Sequence, residues 1–438
     1  MNIIEEEYKL DAPAYTANNA EEYEMLEVRS DNLTITNDPV FRMSLKDTST
    51  YTNLNKGYLE VKFKIVKASD GSDYTGDAKI TLANSIGCLF SRVQARLQNT
   101  IVETRDEAHL CNHLKNLVEY SEDYSRSSAT NELYYKNTGT SFGSDNTEFI
   151  TTASEGFTSR NAFYNDGFAK SLERTKNSAV ITCILPLPHL LGIATVDRVM
   201  SGNTFDLELT RSNAADHLFR ASGVADGKVS FERMSLWLPR IRPTPELDMS
   251  LKSQMVNGVV SDYKFLDYNA YRTQPLSTSA GSNTQRITTQ SEKILHVFVA
   301  LRRGSRTQEF PVNLTRDEVN EIEVRLNGKS YPSRAYQSMD TSEGKSRAYL
   351  ELLRQMSRSA DYSAGIQLSI EDYAKQTILG FDLTSQDENW SKCASTLEVV
   401  SNLKTSTNSE ARQFDVVVVS ERNVNVSYTG SQAVVSVL

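Results

Sequence analysis

The chain has 438 residues, enough for two or three domains with full cores, and its 56 acidic and 47 basic residues give a net charge of -9. This acidic balance argues against a dedicated nucleic-acid binder, which would present a basic face. No apolar run approaches the roughly 20 residues of a membrane-spanning helix. The first ten residues include three glutamates and no apolar signal region, so we expect no secretory leader.

Patterns typical of β-strands dominate the first half. Leu59, Val61, Phe63 and Ile65 alternate with charged residues, which predicts a half-buried strand. Apolar residues at helical spacing within residues 107–120 predict one short helix, which we expect to cover an end or flank of a sheet sandwich.

Residues 125–166 are rich in Ser, Thr, Asn, Gly and Tyr and show little periodicity, so we predict a long loop insertion. Tyr134, Tyr135 and Phe142 are interleaved in it. Because tyrosine is enriched at interfaces, these rings indicate packing against another surface, for which a neighbouring copy of the chain is one candidate.

Residues 243–258 are predicted to form a connector helix between two domains. Thr244 can cap this helix, Pro245 suits its first position, and Gly258 suits its end. Leu247 and Leu251 begin an apolar stripe, completed by Met255, so we expect the helix to pack across both halves.

The second half again reads as mostly strands. The stretch 294–301 is almost continuously apolar, which indicates a strand buried on both faces. Asn327-Gly328 is a strong hairpin signal after the strand 322–326. A helical stripe at Tyr349, Leu352, Leu353 and Met356 follows. β-branched residues then mark several strands up to the C-terminus.

The second half also repeats the plan of the first: a strand ending in Arg-Leu, a short helix, an Asp-Tyr-Ser tripeptide and a strand beginning Phe-Asp. The matched positions are Arg96 with Arg325, Asp123 with Asp361, and Phe205-Asp206 with Phe414-Asp415. Their offsets are 229 residues (325 minus 96), 238 (361 minus 123) and 209 (414 minus 205), as expected when loops differ in length between two copies of one β-domain. We expect each Phe to fill a core position and each Asp to cap a loop.

Several motifs resemble catalytic or ligand-binding signatures. Gly139-Thr140-Ser141-Phe142-Gly143 matches G-x-S-x-G, but polar loop residues surround it where a hydrolase needs a strand and a helix. The triplets Gly328-Lys329-Ser330 and Gly344-Lys345-Ser346 lack the earlier glycine of a phosphate-binding loop. We therefore expect no nucleophile or nucleotide site at these positions.

Other polar clusters are equally unspecific. His109 and His113 stand four apart on one predicted helix, yet no third ligand for a metal is apparent. We expect Arg302, Arg303 and Arg306 to form a solvated loop end, with a phosphate contact as the alternative. The four cysteines, Cys88, Cys111, Cys183 and Cys393, are scattered singly and should be reduced and mostly buried. We accordingly assign no catalytic, cofactor-binding or metal-binding residue and no cofactor.

Several segments, in collinear order, resemble the double jelly-roll major capsid proteins, and most closely those of the Polinton/Maverick, adintovirus and polinton-like virus group. These segments are Gly57–Phe63, Asn84–Ser91, Arg96–Asn99, Leu185–Leu187, Leu207–Arg211, Val324–Lys329, Tyr331-Pro332, Tyr349 and Gly380–Thr384. The resemblance runs from about residue 25 to the end, so the role of the first 25 residues stays open.

The resemblance implies an all-β fold of two tandem eight-stranded jelly rolls with a few short helices. The implied organisation is an N-terminal arm (1–25), a first jelly roll (26–242) with the insertion 125–166, the connector helix (243–258) and a second jelly roll (259–438). It further implies a non-enzymatic major capsid protein of the virion that forms pseudo-hexameric homotrimers tiling an icosahedral shell. Penton and minor capsid proteins are the other implied partners, whereas a membrane beneath the shell is left open.

Two other functions remain for a tandem jelly roll, because this fold hosts many activities. One is a carbohydrate-binding or attachment protein, although no DxDxD-like calcium run is present. The other is a β-sandwich enzyme acting on glycans, whose paired carboxylates would meet only in space.

Overall fold

A computed structural model describes most of the chain. The residues that it describes are 20–30, 39–46, 49–76, 78–135, 166–201, 204–220, 223–289, 293–303, 307–308, 319–339, 341–357, 359, 365–373, 378–385, 395–405, 411–429 and 432–437. The G-x-S-x-G sequence, the second Asp-Tyr-Ser tripeptide, Arg306 and Cys393 lie outside these residues.

The strands before residue 244 form what we term the first module. They are β1 (Ala20–Arg29), β2 (Val40–Leu45), β3 (Tyr51–Thr52), β4 (Tyr58–Lys67), β5 (Ile80–Leu82), β6 (Phe90–Leu97), β7 (Thr100–Asp106), β8 (Ile181–Pro186), β9 (Met200–Ser201), β10 (Phe205–Arg211), β11 (Leu218–Arg220) and β12 (Gly227–Pro243). The predicted arm overlaps this module, since residues 20–25 already belong to β1 and pair with β12.

The strands after residue 260 form the second module. They are β13 (Ser261–Arg272), β14 (Gly281–Thr289), β15 (Lys293–Arg303), β16 (Val319–Leu326), β17 (Lys329–Gln337), β18 (Ile378–Asp382), β19 (Ser395–Leu403), β20 (Arg412–Thr429) and β21 (Gln432–Val437). As predicted, the apolar strand β15 is central, lying between β18 and β20, and its residues 297–301 are buried.

The helices are few and short. The α-helices are α1 (Ala108–Glu119), α2 (Glu122–Arg126), α3 (Asp166–Thr175), α4 (Leu187–Leu190), α5 (Ala214–His217), α6 (Pro245–Val256), α7 (Ser342–Gln355) and α8 (Ile370–Tyr373), and 3-10 turns span Leu54–Lys56, Ile86–Leu89, Ser128–Glu132, Lys176–Ser178 and Ile193–Thr195. Helix α6 forms within the segment 243–258, as the sequence predicts, with Pro245 at its start and Gly258, at a φ of +76°, just beyond its end.

Both modules have the same strand order. In the first, the two main sheets run β1-β12-β4-β8 and β2-β10-β6-β7; the short strands β3 and β9 extend the first sheet from β12, and β5 and β11 form a separate two-stranded sheet. In the second, they run β13-β20-β15-β18 and β14-β19-β16-β17. We call the eight strands in the two main sheets of each module its principal strands and number them in chain order. In both modules the strand order is then 1-8-3-6 in one sheet and 2-7-4-5 in the other. Two antiparallel four-stranded sheets in this order make an eight-stranded jelly roll, so the predicted double jelly roll is confirmed.

Strand alternation builds each core. In β4 the apolar residues predicted from the sequence are buried, and Phe63 pairs in register with Phe231 of β12. Phe231 also meets Phe41 of the opposite sheet edge to face, with ring centres 5.1 Å apart. Because apolar residues alternate with polar ones along each strand, one face of each sheet is buried in the core between the two sheets.

In both modules, a tight hairpin turn follows the Arg-Leu pair. Asn327 and Gly328 both have positive φ, as a type I′ turn requires, and join β16 to β17 as predicted. Gln98 and Asn99 take the same left-handed conformation between β6 and β7 without a glycine. Leu97 and Leu326 consequently occupy equivalent positions.

The predicted match between Phe205-Asp206 and Phe414-Asp415 is wrong. Leu97 pairs with Phe205 of β10, whereas its equivalent Leu326 pairs with Leu397 of β19. β19 is thus the counterpart of β10, while Phe414 lies in β20, the counterpart of β12. Both phenylalanines are core residues, but neither aspartate caps a loop, because both lie within strands.

The predicted loop 125–166 is mostly helical where it is described. Residues 125 and 126 end α2, residues 128–132 form a 3-10 turn, and residue 166 begins α3. Residues 136–165 lie outside the described part of the chain. The helix at the start of this segment was not predicted because it is too short to show periodicity. Ser121 caps this helix, and its side chain accepts a hydrogen bond from the Tyr124 amide.

Candidate functional site: the junction between the two modules

The two modules exchange parts of their cores. Helix α1 follows β7 of the first module, yet its apolar residues Leu114, Leu117 and Val118 belong to the hydrophobic core of the second, together with Tyr268 and Ala270 of β13. Burying one leucine side chain stabilises a fold by roughly 1.5–3 kcal/mol. The helical stripe predicted from the sequence is therefore an inter-module anchor.

The exchange is reciprocal. Tyr263 and Phe265 of β13, and Val424 and Val426 of β20, belong to the core of the first module. Ala433 of β21 is buried there as well. Because each core is completed by residues of the other module, the modules are held in one mutual orientation.

The connector α6 packs into the same junction. Its buried residues Leu247, Leu251 and Met255 lie in the first-module core that also receives the strands of the second. This agrees with the apolar stripe predicted for the connector. The outer face of α6 remains exposed at Met249 and Val256.

Buried charges lie at the centre of the junction. Arg105 and Glu103 of β7 are fully buried and 3.0 Å apart. The Glu103 carboxylate also accepts hydrogen bonds from the amides of Gly192 and Ile193, at 2.8 and 3.0 Å. The guanidinium of Arg105 lies over the ring of Tyr268 in the second module, 5.7 Å from its centre. Within the described residues, Nε of Arg105 has no hydrogen-bond partner. Loss of either member of this buried ion pair would leave an uncompensated charge.

Asp267 brings a further carboxylate to this centre from β13. Arg422 of β20 donates a hydrogen bond to it at 3.0 Å. Burial, followed by the nearby charge of Glu103, raises the pKa of Asp267 to about 6. The central charges therefore span both modules.

The rim of the junction contains the first histidine of the predicted pair. Arg272 of β13 lies 2.8 Å from Glu107 and donates to Nε2 of His109 at 2.6 Å. His113, one turn further along α1, contacts Asn84 through its Nδ1. The two imidazoles thus contact different partners. Among the described residues, no group of three or more His, Cys, Asp or Glu side chains is placed to hold a metal ion.

A tyrosine cluster extends the junction to the base of the predicted insertion. The buried carboxylate of Glu132 accepts from the hydroxyls of Tyr120 and Tyr124, both at 2.8 Å, and lies 2.7 Å from Nδ1 of His189. Tyr134 donates to Oε1 of Gln367 in the second module at 2.7 Å.

The environment of Tyr134 bears on the prediction for the insertion. Tyr134 is buried within its own chain and Tyr135 is half-buried, so these two rings do not require a neighbouring copy. Phe142, the third predicted ring, lies outside the described residues.

The remaining motifs have structural roles where they are described. Gly328-Lys329-Ser330 is the hairpin between β16 and β17, and Gly344 lies in the first turn of α7, where its amide donates to the capping hydroxyl of Thr341. Cys88, Cys111 and Cys183 are buried free thiols, as expected.

The prediction of a solvated loop end for Arg302 is wrong. Its side chain is 5% exposed, and its Nε donates to Asp415 at 3.3 Å. The side chain of Arg303 is outside the described structure. Three arginines close in sequence were mistaken for a surface cluster because the buried partner of the first is 113 residues away.

Sequence reasoning also missed the central charges. The only available signal was in β7, where Glu103 and Arg105 flank Thr104 on one face of a strand that otherwise resembles its neighbours. Their burial depends on β13 and on the turn at Gly192, which no local pattern reveals. Within the described part of the chain, no helix is long and apolar enough to cross a bilayer.

The chain is a double jelly roll in which two modules of one topology share their cores. Neither a scan against protein-family models nor a search of curated proteins gave a match. Solved structures with similar folds include a chain of the Sputnik virophage structure (TM-score 0.55, 12% identity, covering 97% of this chain and 90% of that one). The mavirus major capsid protein is also similar, with a TM-score of 0.51 and 11% identity, and the match covers 97% of this chain and 92% of that one. The Faustovirus major capsid protein has a TM-score of 0.51 and 9% identity, and the match covers 93% of this chain and 91% of that one. At these identities the likeness establishes the fold.

Proposed function

We propose that this protein is a viral major capsid protein that forms homotrimers, and that these trimers tile an icosahedral shell in the virion. The observation that carries the proposal is the identical strand order of the two modules. Similarity to capsid proteins over at least nine-tenths of both chains supports it.

The duplication has a physical use in such a particle. Three chains with two equivalent modules each place six similar units around a threefold axis, and the resulting block packs like a hexagon. Closure of a head-to-tail interface gives a finite ring. The shared cores suit this role because they set the angle between the modules before assembly.

The finer parts of the proposal concern organisation and partners. The modules would correspond to residues 20–242, which include the start of β1, and 259–438, joined by the connector 243–258. Penton and minor capsid proteins would complete the shell. Membership of the polinton-like group is supported by the collinear segments of the sequence, and specific nucleic-acid recognition is not part of the role because the chain is acidic.

Two measurements separate this function from its rivals. Light scattering on the purified chain should give three times the mass of 49.1 kDa, and concentrated samples should form shells or hexagonal sheets. A monomer that binds a glycan array would favour a carbohydrate-binding protein instead. Glycan cleavage abolished by replacing one carboxylate would favour an enzyme.

A further inference from the structure

The surface through which one copy contacts the next can be located from the internal junction, an inference that rests on the proposed trimer. In the proposed trimer, six modules alternate around the ring: first, second, first, second and so on. Within one chain, the first module contacts the second. Around the ring, the second module of that chain makes an equivalent contact with the first module of the next chain. Each element at the internal junction therefore has a counterpart that faces a neighbouring copy.

The internal contact has a helix on one side and an edge strand on the other. Helix α1 follows the fifth principal strand of the first module, and Lys115 on this helix lies over Tyr268 of β13, 4.9 Å from the ring centre. The Tyr268 hydroxyl donates to Glu119 of the same helix. β13 is the first strand of its module and pairs with the eighth, β20.

Helix α7 is the counterpart of α1 because it follows the fifth principal strand of the second module. Its inner residues Ala348 and Leu352 are buried in the core of that module. Its outer face carries Arg347, Leu350 and Arg354, spaced three and four apart and therefore on one side of the helix. All three are exposed, and Leu350 is a large apolar residue with 42% of its surface accessible.

Strand β1 is the counterpart of β13 because it is the first strand of its module and pairs with the eighth, β12. Among the described residues, no strand pairs with its other edge. The sequence of β1 contains four glutamates and one arginine, and Tyr23 is 54% exposed beside the exposed Glu24. An acidic edge strand with an exposed aromatic ring is complementary to a helix face that carries two arginines and an exposed leucine. Within the chain, Glu24 lies 3.0 Å from Arg240 and Arg354 lies 2.8 Å from Glu351, so the contact would have these ion pairs at its edge.

We propose that the outer face of α7 in one copy packs against the edge of β1 in the next copy, with Leu350 and its flanking arginines meeting Tyr23 and Glu24. The occupant of this surface is thus a second copy of the chain. The contact repeats the internal pairing of a helix with an edge strand, with the helix now on the second module and the strand on the first.

Two substitutions and one control test this assignment in the full-length protein. Leu350→Glu and Tyr23→Ala should each raise the concentration for half-assembly of the trimer by about tenfold or more, as expected for residues central to an interface. Val180→Glu alters an apolar residue of similar exposure (46%) outside both elements and should leave assembly unchanged. Sedimentation velocity gives the oligomeric state, and circular dichroism verifies that each variant is folded.

Cross-linking provides a second readout that does not depend on weakening the trimer. Co-expressed Leu350→Cys and Tyr23→Cys subunits, treated with a short bismaleimide, should give a cross-linked dimer that neither variant gives alone. If the wild-type chain forms trimers but both substitutions leave assembly unchanged and no specific cross-link appears, the assignment is wrong and the proposed function stands. If the wild-type chain is a monomer at all concentrations, both are overturned.

Discussion

Lys115 of α1 and Tyr268 of β13 meet across the junction, with the ammonium nitrogen 4.9 Å from the centre of the ring. The ring is buried, and its hydroxyl donates to Glu119 one turn further along α1. Tyr268 therefore combines apolar burial, a cation–π contact and a hydrogen bond to a carboxylate at one point between the modules.

Truncation of this ring should destabilise the whole chain. We expect Tyr268→Ala to lower the free energy of unfolding by about 3–5 kcal/mol, because a large cavity forms in a shared core. Tyr268→Phe, the matched control, keeps the ring and should cost about 1–2 kcal/mol for the lost hydrogen bond. Denaturant titration measures both, and equal effects would contradict a packing role for the ring.

Asp267 should make stability depend on pH. Its folded-state pKa of about 6 lies above the ordinary value of 3.8, so the folded chain binds the extra proton between these values. This contribution to stability is therefore present at low pH and is lost as pH rises through about 6. Asp267→Asn resembles the protonated acid, so the stability of the variant relative to wild type should increase between pH 4.5 and 7.5. A difference that is constant with pH in chemical denaturation would disprove the effect.

The hairpin glycine Gly328 allows a test of backbone strain. Gly328 has a φ of +86°, and Gly328→Ala should lower the free energy of unfolding by about 1 kcal/mol because the left-handed conformation is costly for alanine. Gly365→Ala is the control, since that glycine has no positive φ and no atom within 4 Å of an added Cβ. Thermal unfolding compares the two, and an equal or larger loss at Gly365 would refute the explanation.

Separated modules should not be stable alone. A fragment ending at residue 258 lacks Tyr263, Phe265, Val424 and Val426, which complete the first core. We expect this fragment to aggregate, and co-expression with residues 259–438 to recover a soluble complex. A monomeric fragment with a sharp thermal transition would mean that the exchanged residues contribute little.

Local patterns in the sequence were sufficient to predict the period-two strands, the connector helix and the Asn327-Gly328 turn, because each depends on neighbouring residues. The repeated Phe-Asp sequence led to a wrong match between strands. Equivalent strands are recognised by the strands that they pair with, and Leu326 pairs with Leu397 rather than with Phe414. The junction charges were equally hidden, since Arg105 and Tyr268 are brought together only by the tertiary fold.

Rotational averaging of electron micrographs of the purified chain tests the central claim most directly. If two equivalent modules per chain build a near-hexagonal trimer, top views will have exact threefold symmetry with a strong sixfold component and six lobes of similar size. Top views with two lobes, or with three lobes and no sixfold component, would contradict the account.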